Sequence, residues 1–280
     1  MWSKFSKLNR EKLFFAKNQL HAALQLVALS PRSYLPESAE DEYANLSWNQ
    51  KRKSFFSKHF GPKKNIQTSL LVAEFKLEIL VEEIVFDAIL INGKTYQMLQ
   101  DWIVSRLQRL QVDTSKFNPA IPYQLEEIEI EQESKFQGPD NQALKDISSY
   151  YQNAYVSFKK FSEEIIQKKK EINIWPHHFD MSIKVPIEQN KTIELGLSPG
   201  DQYYPEPYFY GLMSSEVEFS SIRENPPIVG HWHTQKWKGL VLPASQFILE
   251  TEHLEQQIII DFLKNAYDIS KRLLLLSNAP

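Results

Sequence analysis

Between Trp175 and Pro243 the chain carries five of its eight glycines and eight of its fifteen prolines, a density of turn residues that rules out any long helix there. What such a stretch allows is short strands joined by tight turns. On either side of it, apolar residues recur at helical spacing. Leu13, Lys17, Leu20, Leu24 and Val27 mark a helix of about six turns that Pro31 closes. Met98, Leu99, Trp102, Ile103, Leu107 and Leu110 mark a second helix. Leu144, Ile147, Tyr151, Tyr155, Phe158, Phe161 and Ile165 mark a third, ending in the lysines at 168–170, which suit the negative end of its dipole. Leu254, Ile258, Phe262, Ala266 and Ile269 mark a fourth.

Strands announce themselves by alternation. Phe75, Leu77 and Ile79 alternate with Glu74, Lys76 and Glu78, and the apolar run 84–91 that follows pairs with them before the turn at Asn92-Gly93. Together these patterns predict an α+β fold, with mostly antiparallel sheet from 69–91 and 178–241 packed against about four helices. The alternative is an α/β doubly wound sheet. The 280 residues form a single domain, or two similar halves, 1–112 and 143–280, joined by a polar linker over 113–142.

Composition removes several function classes. A formal charge of −3, with no basic stripe, gives no pull toward phosphate backbones, so nucleic acid is not an expected partner. With no cysteine, thiolate nucleophiles, iron–sulfur clusters and cysteine-bound zinc are impossible, and any metal must sit on His, Asp or Glu. No apolar run approaches the ~18 residues of a membrane span, which predicts no membrane partner and a cytoplasmic location. No P-loop, G-x-G-x-x-G, G-x-S-x-G or H-E-x-x-H motif occurs.

Reactive side chains gather in the turn-rich stretch, which holds four of the seven histidines and three of the six tryptophans. In "WPHHFD" (175–180) an extended chain puts His178 and Asp180 on one polar face, where the carboxylate can fix the imidazole's tautomer. In "YYPEPYFY" (203–210) two prolines hold Glu206 among aromatic rings, as a general acid or an oxygen ligand. In "GHWHTQKWKG" (230–239) His231, His233 and Gln235 share a face, an H-x-H pair compatible with metal ligation. Trp175, Tyr204, Tyr208, Tyr210, Trp232, Trp237 and Lys238 are the candidate ligand-binding residues around these groups.

The words "IWPHHFDMSIKV", "IELGLSPGDQYYPEPYFYGL" and "GHWHTQKWKGLVLPAS" resemble the bacterial family called domain of unknown function 5996. The likeness is close over 174–245 and fainter toward the N-terminus, in "LHAALQ" and "AEFKLEI"; "LSWNQKRKSFF" departs from the family's aromatic segment. No activity follows from the resemblance. It implies His178, Asp180, Glu206 and His233 as recurring polar positions, with His177 and His231 matching less firmly.

Three readings follow. The first is a hydrolase-like enzyme with His178, Asp180, Glu206 and His233 as catalytic groups, either metal-free or binding a divalent metal through His178, His233 and Glu206. The second is a non-catalytic small-molecule-binding protein in which aromatic rings stack on a ligand. The third is a polar network that braces an aromatic core. Oligomeric state is not readable.

Overall fold

A computed structural model describes residues 2–63, 65–125, 128–188, 190–215, 219–249 and 251–276, without the side chains of 39–41, 219 and 220. The chain divides into two compact units. Unit 1 comprises Met1–Arg10, Ser149–Ile172 and Asp180–Pro280; unit 2 comprises Glu11–Ser148 and Asn173–Phe179. The fold is α+β, with sheets built from antiparallel strand pairs.

The main helices are α1 (Arg10–Tyr34), α2 (Tyr96–Arg109), α3 (Asn141–Lys160) and, after two short ones, α4 (Phe219–Glu224) and α5 (Ala244–Phe247), α6 (Glu252–Leu276). Pro31 was expected to close α1, yet the helix runs on to Tyr34. Proline lacks the N–H that would reach the carbonyl of Val27. The hydroxyl of Thr68 donates to that oxygen instead, at 2.8 Å, so the acceptor is satisfied and the helix continues. In α2 the Thr95 hydroxyl accepts from Met98 N at 3.1 Å and caps the first turn. The helix after α3 loosens into a π-turn at Phe161–Ile165 and stops there, short of the lysine run.

Unit 2 has a five-stranded sheet in the order β1 (Ser47–Asn49), β2 (Ser54–Phe56), β3 (Ile66–Leu71), β4 (Lys76–Val81), β5 (Ile84–Leu90). The hairpin between β4 and β5 turns through Glu82 and Glu83 at φ 52 and 66. This unit also holds β6 (Asn173–Trp175), bridged at Ile174 to Leu46.

In unit 1, β7 (Asp180–Glu188), β8 (Lys191–Ser198), β9 (Tyr208–Met213), β10 (His231–His233) and β11 (Gly239–Pro243) hydrogen-bond in the order β10-β11-β9-β8-β7. Register places Ser182, Gly196, Tyr210, Val241 and His231 in one row across the five strands. Alternation then puts Asp180, Ser182, Glu194, Tyr208, Tyr210, His231 and His233 on one face. The opposite face is apolar: Phe209 packs on Phe247 and Phe158, and Gly211 lets Ala266 of α6 come close.

The strand expected from His178 onward begins two residues later. Residues 176–179 form a turn closed by Phe179 N to the carbonyl of Trp175 at 2.8 Å, with Phe179 at φ 57. His178 therefore does not share a strand face with Asp180; it is an exposed turn residue of unit 2, whereas Asp180 opens β7 in unit 1.

Candidate functional site

The geometry with chemical content in unit 1 centres on Tyr204. Its position begins with Asp201, whose Oδ1 accepts from the backbone N–H of Tyr203 at 2.8 Å and of Tyr204 at 2.9 Å. Oδ2 accepts from the Tyr208 hydroxyl at 2.6 Å, which anchors the loop to β9. Gly200 at φ +112 gives the loop its sharp entry, in a conformation that favours glycine. Asp201 was not a candidate in the sequence, although an aspartate followed by a polar residue in "PGDQ" is a recognisable turn signal.

Tyr204 Oη then lies 3.1 Å from His231 Nε2 and 3.0 Å from His233 Nδ1, both histidines projecting from the same face of β10. The carbonyl oxygen of Gln235 only accepts, so its 2.7 Å contact with His233 Nε2 requires a proton on Nε2. With a single proton on that ring, His233 accepts at Nδ1, and Tyr204 donates to it. The phenol has a single proton, so it must accept from His231 Nε2–H. Followed through, the chain runs from His231 Nε2 to Tyr204 to His233 to the Gln235 carbonyl, and leaves the His231 Nδ1 lone pair unused.

Electrostatics support that assignment. His231 is half-buried, and desolvation first, then the neighbouring His233, hold its pKa below the ordinary histidine value, so it is neutral near pH 7. Burial, and then the charge of Asp201, push the Tyr204 phenol up, which keeps its proton in place. Trp237 stacks on the His233 ring with centroids 4.0 Å apart and planes 27° apart, and Tyr203 meets it edge-on at 5.1 Å. Lys236, between Gln235 and Trp237, sits at φ 61, a costly conformation for a non-glycine residue.

A second polar cluster occupies the same sheet face. The Tyr210 hydroxyl donates to Asp180 Oδ2 and lies 3.4 Å from Glu194 Oε1, which also accepts from Ser182 Oγ at 2.7 Å. Burial, and then the negative charge of Glu194, push the Asp180 carboxyl up to about 7 against the opposing hydrogen bond from Tyr210. Asp180 thus keeps its proton well above the usual carboxylate range.

Glu206 is 8% exposed and engaged on both oxygens. Oε2 accepts from Ser245 N at 2.6 Å, while Oε1 accepts from Ser245 Oγ at 3.1 Å and from Arg10 Nη2 at 2.9 Å. It clamps the start of α5, an arrangement unlike that of an acid or oxygen ligand open to a substrate. The other candidates spread out. Tyr208 and Tyr210 form a buried hydrophobic cluster with Val241, against which Tyr204 and Trp237 pack. Trp232 points away from the histidines and donates to the Asn225 carbonyl at 2.9 Å; Lys238 is half-buried. Trp175 lies in unit 2, edge-on to His177 at 5.9 Å. The three residues named for a metal fall in two units, His178 in unit 2 and Glu206 and His233 in unit 1. Both nitrogens of His233 are hydrogen-bonded. Among the described residues no group of three or more His, Asp or Glu is gathered as a metal ion needs, and no helix there is long and apolar enough to cross a membrane. No family model, curated protein or solved structure matches the chain.

Proposed function

We propose that unit 1 is a metal-free acid/base enzyme of the hydrolase class, with His231 Nδ1 as its base. The observation that carries this reading is the Tyr204 hydroxyl shared between His231 and His233, with His233 tied to a carbonyl that dictates the direction of the chain. His231, an accessory in the sequence reading, takes the base role; His233 becomes the group that receives charge.

The chemistry is balanced. His231 Nδ1 takes a proton from water as its oxygen attacks an acyl carbon. The His231 Nε2 proton then passes to Tyr204 and the Tyr204 proton to His233 Nδ1, moving the positive charge onto the ring stacked on Trp237. Reversing the relay returns a proton to the leaving group. Trp237 and Tyr203 supply flat apolar surface, which suits a small ring-bearing substrate.

A second reading, a binding module without turnover, draws on the rings of Tyr203, Tyr204, Tyr208 and Trp237 collected around the histidines. A panel of chromogenic aryl esters separates the two. The enzyme reading expects turnover that falls by about 10²- to 10⁴-fold in His231→Gln and drops in Tyr204→Phe, with the fold intact by circular dichroism. Turnover unchanged in His231→Gln contradicts it, and saturable binding without turnover favours the module.

A further inference from the structure

Arg32 of unit 2 is half-buried, and among the described residues it has no counter-charge. Arg32, in the last turn of α1, donates from Nη2 to the Tyr123 hydroxyl oxygen and lies over that ring, 4.8 Å from the centroid. Its Nε and Nη1 are closed to solvent and have no hydrogen-bond partner. Among the described residues no carboxylate pairs with it. Two more unpartnered groups come from α2: the Tyr96 hydroxyl, on a residue 1% exposed, and Gln100 Nε2, on a residue 3% exposed. They stand one turn apart on the same face of α2. Tyr96 is also within electrostatic reach of Arg32. The negative end of the α1 dipole favours a cation here but offers Nε and Nη1 no acceptor. Buried donors are normally paired, and a buried charge is costly when it is not.

We propose that Arg32, Tyr96 and Gln100 form a binding site for a small monocarboxylate. A carboxylate has two acceptor oxygens and roughly four lone-pair positions, which match four donor atoms. Its single negative charge matches one guanidinium, whereas dianionic phosphate leaves an excess charge buried. The donors are closed off here, so the ligand enters by a local opening, and Tyr123 is the group that moves. It lies on the irregular segment between α2 and α3, half-buried, held by the hydrogen bond it donates to Gln25 Oε1 at 2.8 Å. This site belongs to unit 2 and does not depend on the relay in unit 1.

The test is thermal unfolding and calorimetric titration of the full chain with sodium acetate and sodium benzoate, at ionic strength matched by sodium chloride, with inorganic phosphate for comparison. Expected is a saturable rise in Tm of roughly 5 °C at hundredfold excess over Kd, after long equilibration. Arg32→Met abolishes the rise, Tyr96→Phe and Gln100→Leu reduce it, and His231→Gln retains it. If Arg32→Met does not fold, the other two variants carry the comparison. No saturable effect of either carboxylate overturns the proposal, as does a larger effect of phosphate or an undiminished response in all the unit 2 variants that fold.

Discussion

Gly196 on β8 stands where Tyr210 on β9 needs the space: a Cβ on Gly196 would lie 2.1 Å from Tyr210 Cζ and 2.3 Å from its hydroxyl oxygen. The two residues face each other directly in the register, so the absent side chain is what lets the phenol cross β8 toward Asp180 and Glu194. Gly196→Ala is therefore expected to cost about 2–4 kcal/mol, since neither the ring nor the strand can give way cheaply. Gly93→Ala is the control. Its φ of +76 carries a backbone cost, of about 1 kcal/mol, but a Cβ there meets nothing within 4 Å. Urea midpoints of the two variants check the difference.

Asp180 gives a pH dependence with a definite sign. Its carboxyl moves from 3.8 to about 7 on folding, so between those values the folded chain holds a proton that the unfolded chain has lost. Its contribution to stability falls as pH rises through that window and is constant above it. Asp180→Asn keeps an acceptor for Tyr210 and removes the penalty. Relative to the parent it gains on the order of 3 kcal/mol between pH 5 and pH 8, read from urea unfolding at both.

His21 works in the opposite direction. It is 5% exposed, donates from Nε2 to the Pro176 carbonyl at 2.9 Å, and burial lowers its pKa from 6.5 to about 4. The unfolded chain binds the proton first on acidification. Stability is thus fully present above pH 6.5 and lost as pH falls toward 4, by roughly 3 kcal/mol. Gln25 Nε2 reaches the same carbonyl at 2.6 Å, so His21→Gln leaves that oxygen satisfied while removing the acid-side slope. An acid-side stability curve for His21→Gln that overlays the parent would refute the assignment.

The loop before β9 offers a positional test. Asp201→Ala frees the N–H groups of Tyr203 and Tyr204 and the Tyr208 hydroxyl together, and is expected to cost about 1–3 kcal/mol. Asp201→Asn keeps acceptor Oδ1 for both amides. It should retain most of the stability and most of any ester turnover, whereas Asp201→Ala loses the turnover while still folding.

Much of the fold was legible because it is local. The spacing of Leu13, Leu20, Leu24 and Val27 is a helix in any context, and the alternation around Leu77 and Ile79 marks a strand, although it is covered on both faces rather than half-buried, because Glu78 between them is buried against Arg52. The errors came from non-local chemistry. Pro31 reads as a stop, but the Thr68 hydroxyl, forty-one residues from Val27, takes the place of the donor missing at the Val27 carbonyl. His178 and Asp180 read as one strand face, but Phe179 at φ 57 breaks the alternation, and no periodicity carries a dihedral. Within the site, the shared face of His231 and His233 was visible in the H-x-H spacing. The arrival of Tyr204 between them was not, because it depends on the Asp201 turn and on β10 reaching β9 through β11. The partners of Glu206, Arg10 and Ser245, were not visible because they lie far away in sequence.

The central claim, that the relay runs from His231 through Tyr204 to His233 and leaves His231 Nδ1 as the free base, is tested most directly by long-range ¹H–¹⁵N spectra of the histidine rings near pH 7.5. The account predicts both His231 and His233 neutral and protonated at Nε2, with the His231 Nδ1 shift that of an unbonded lone pair and the His233 Nδ1 shift that of an acceptor, an effect lost in Tyr204→Phe. A proton on Nδ1 of either ring at that pH, or spectra unchanged by Tyr204→Phe, would contradict it.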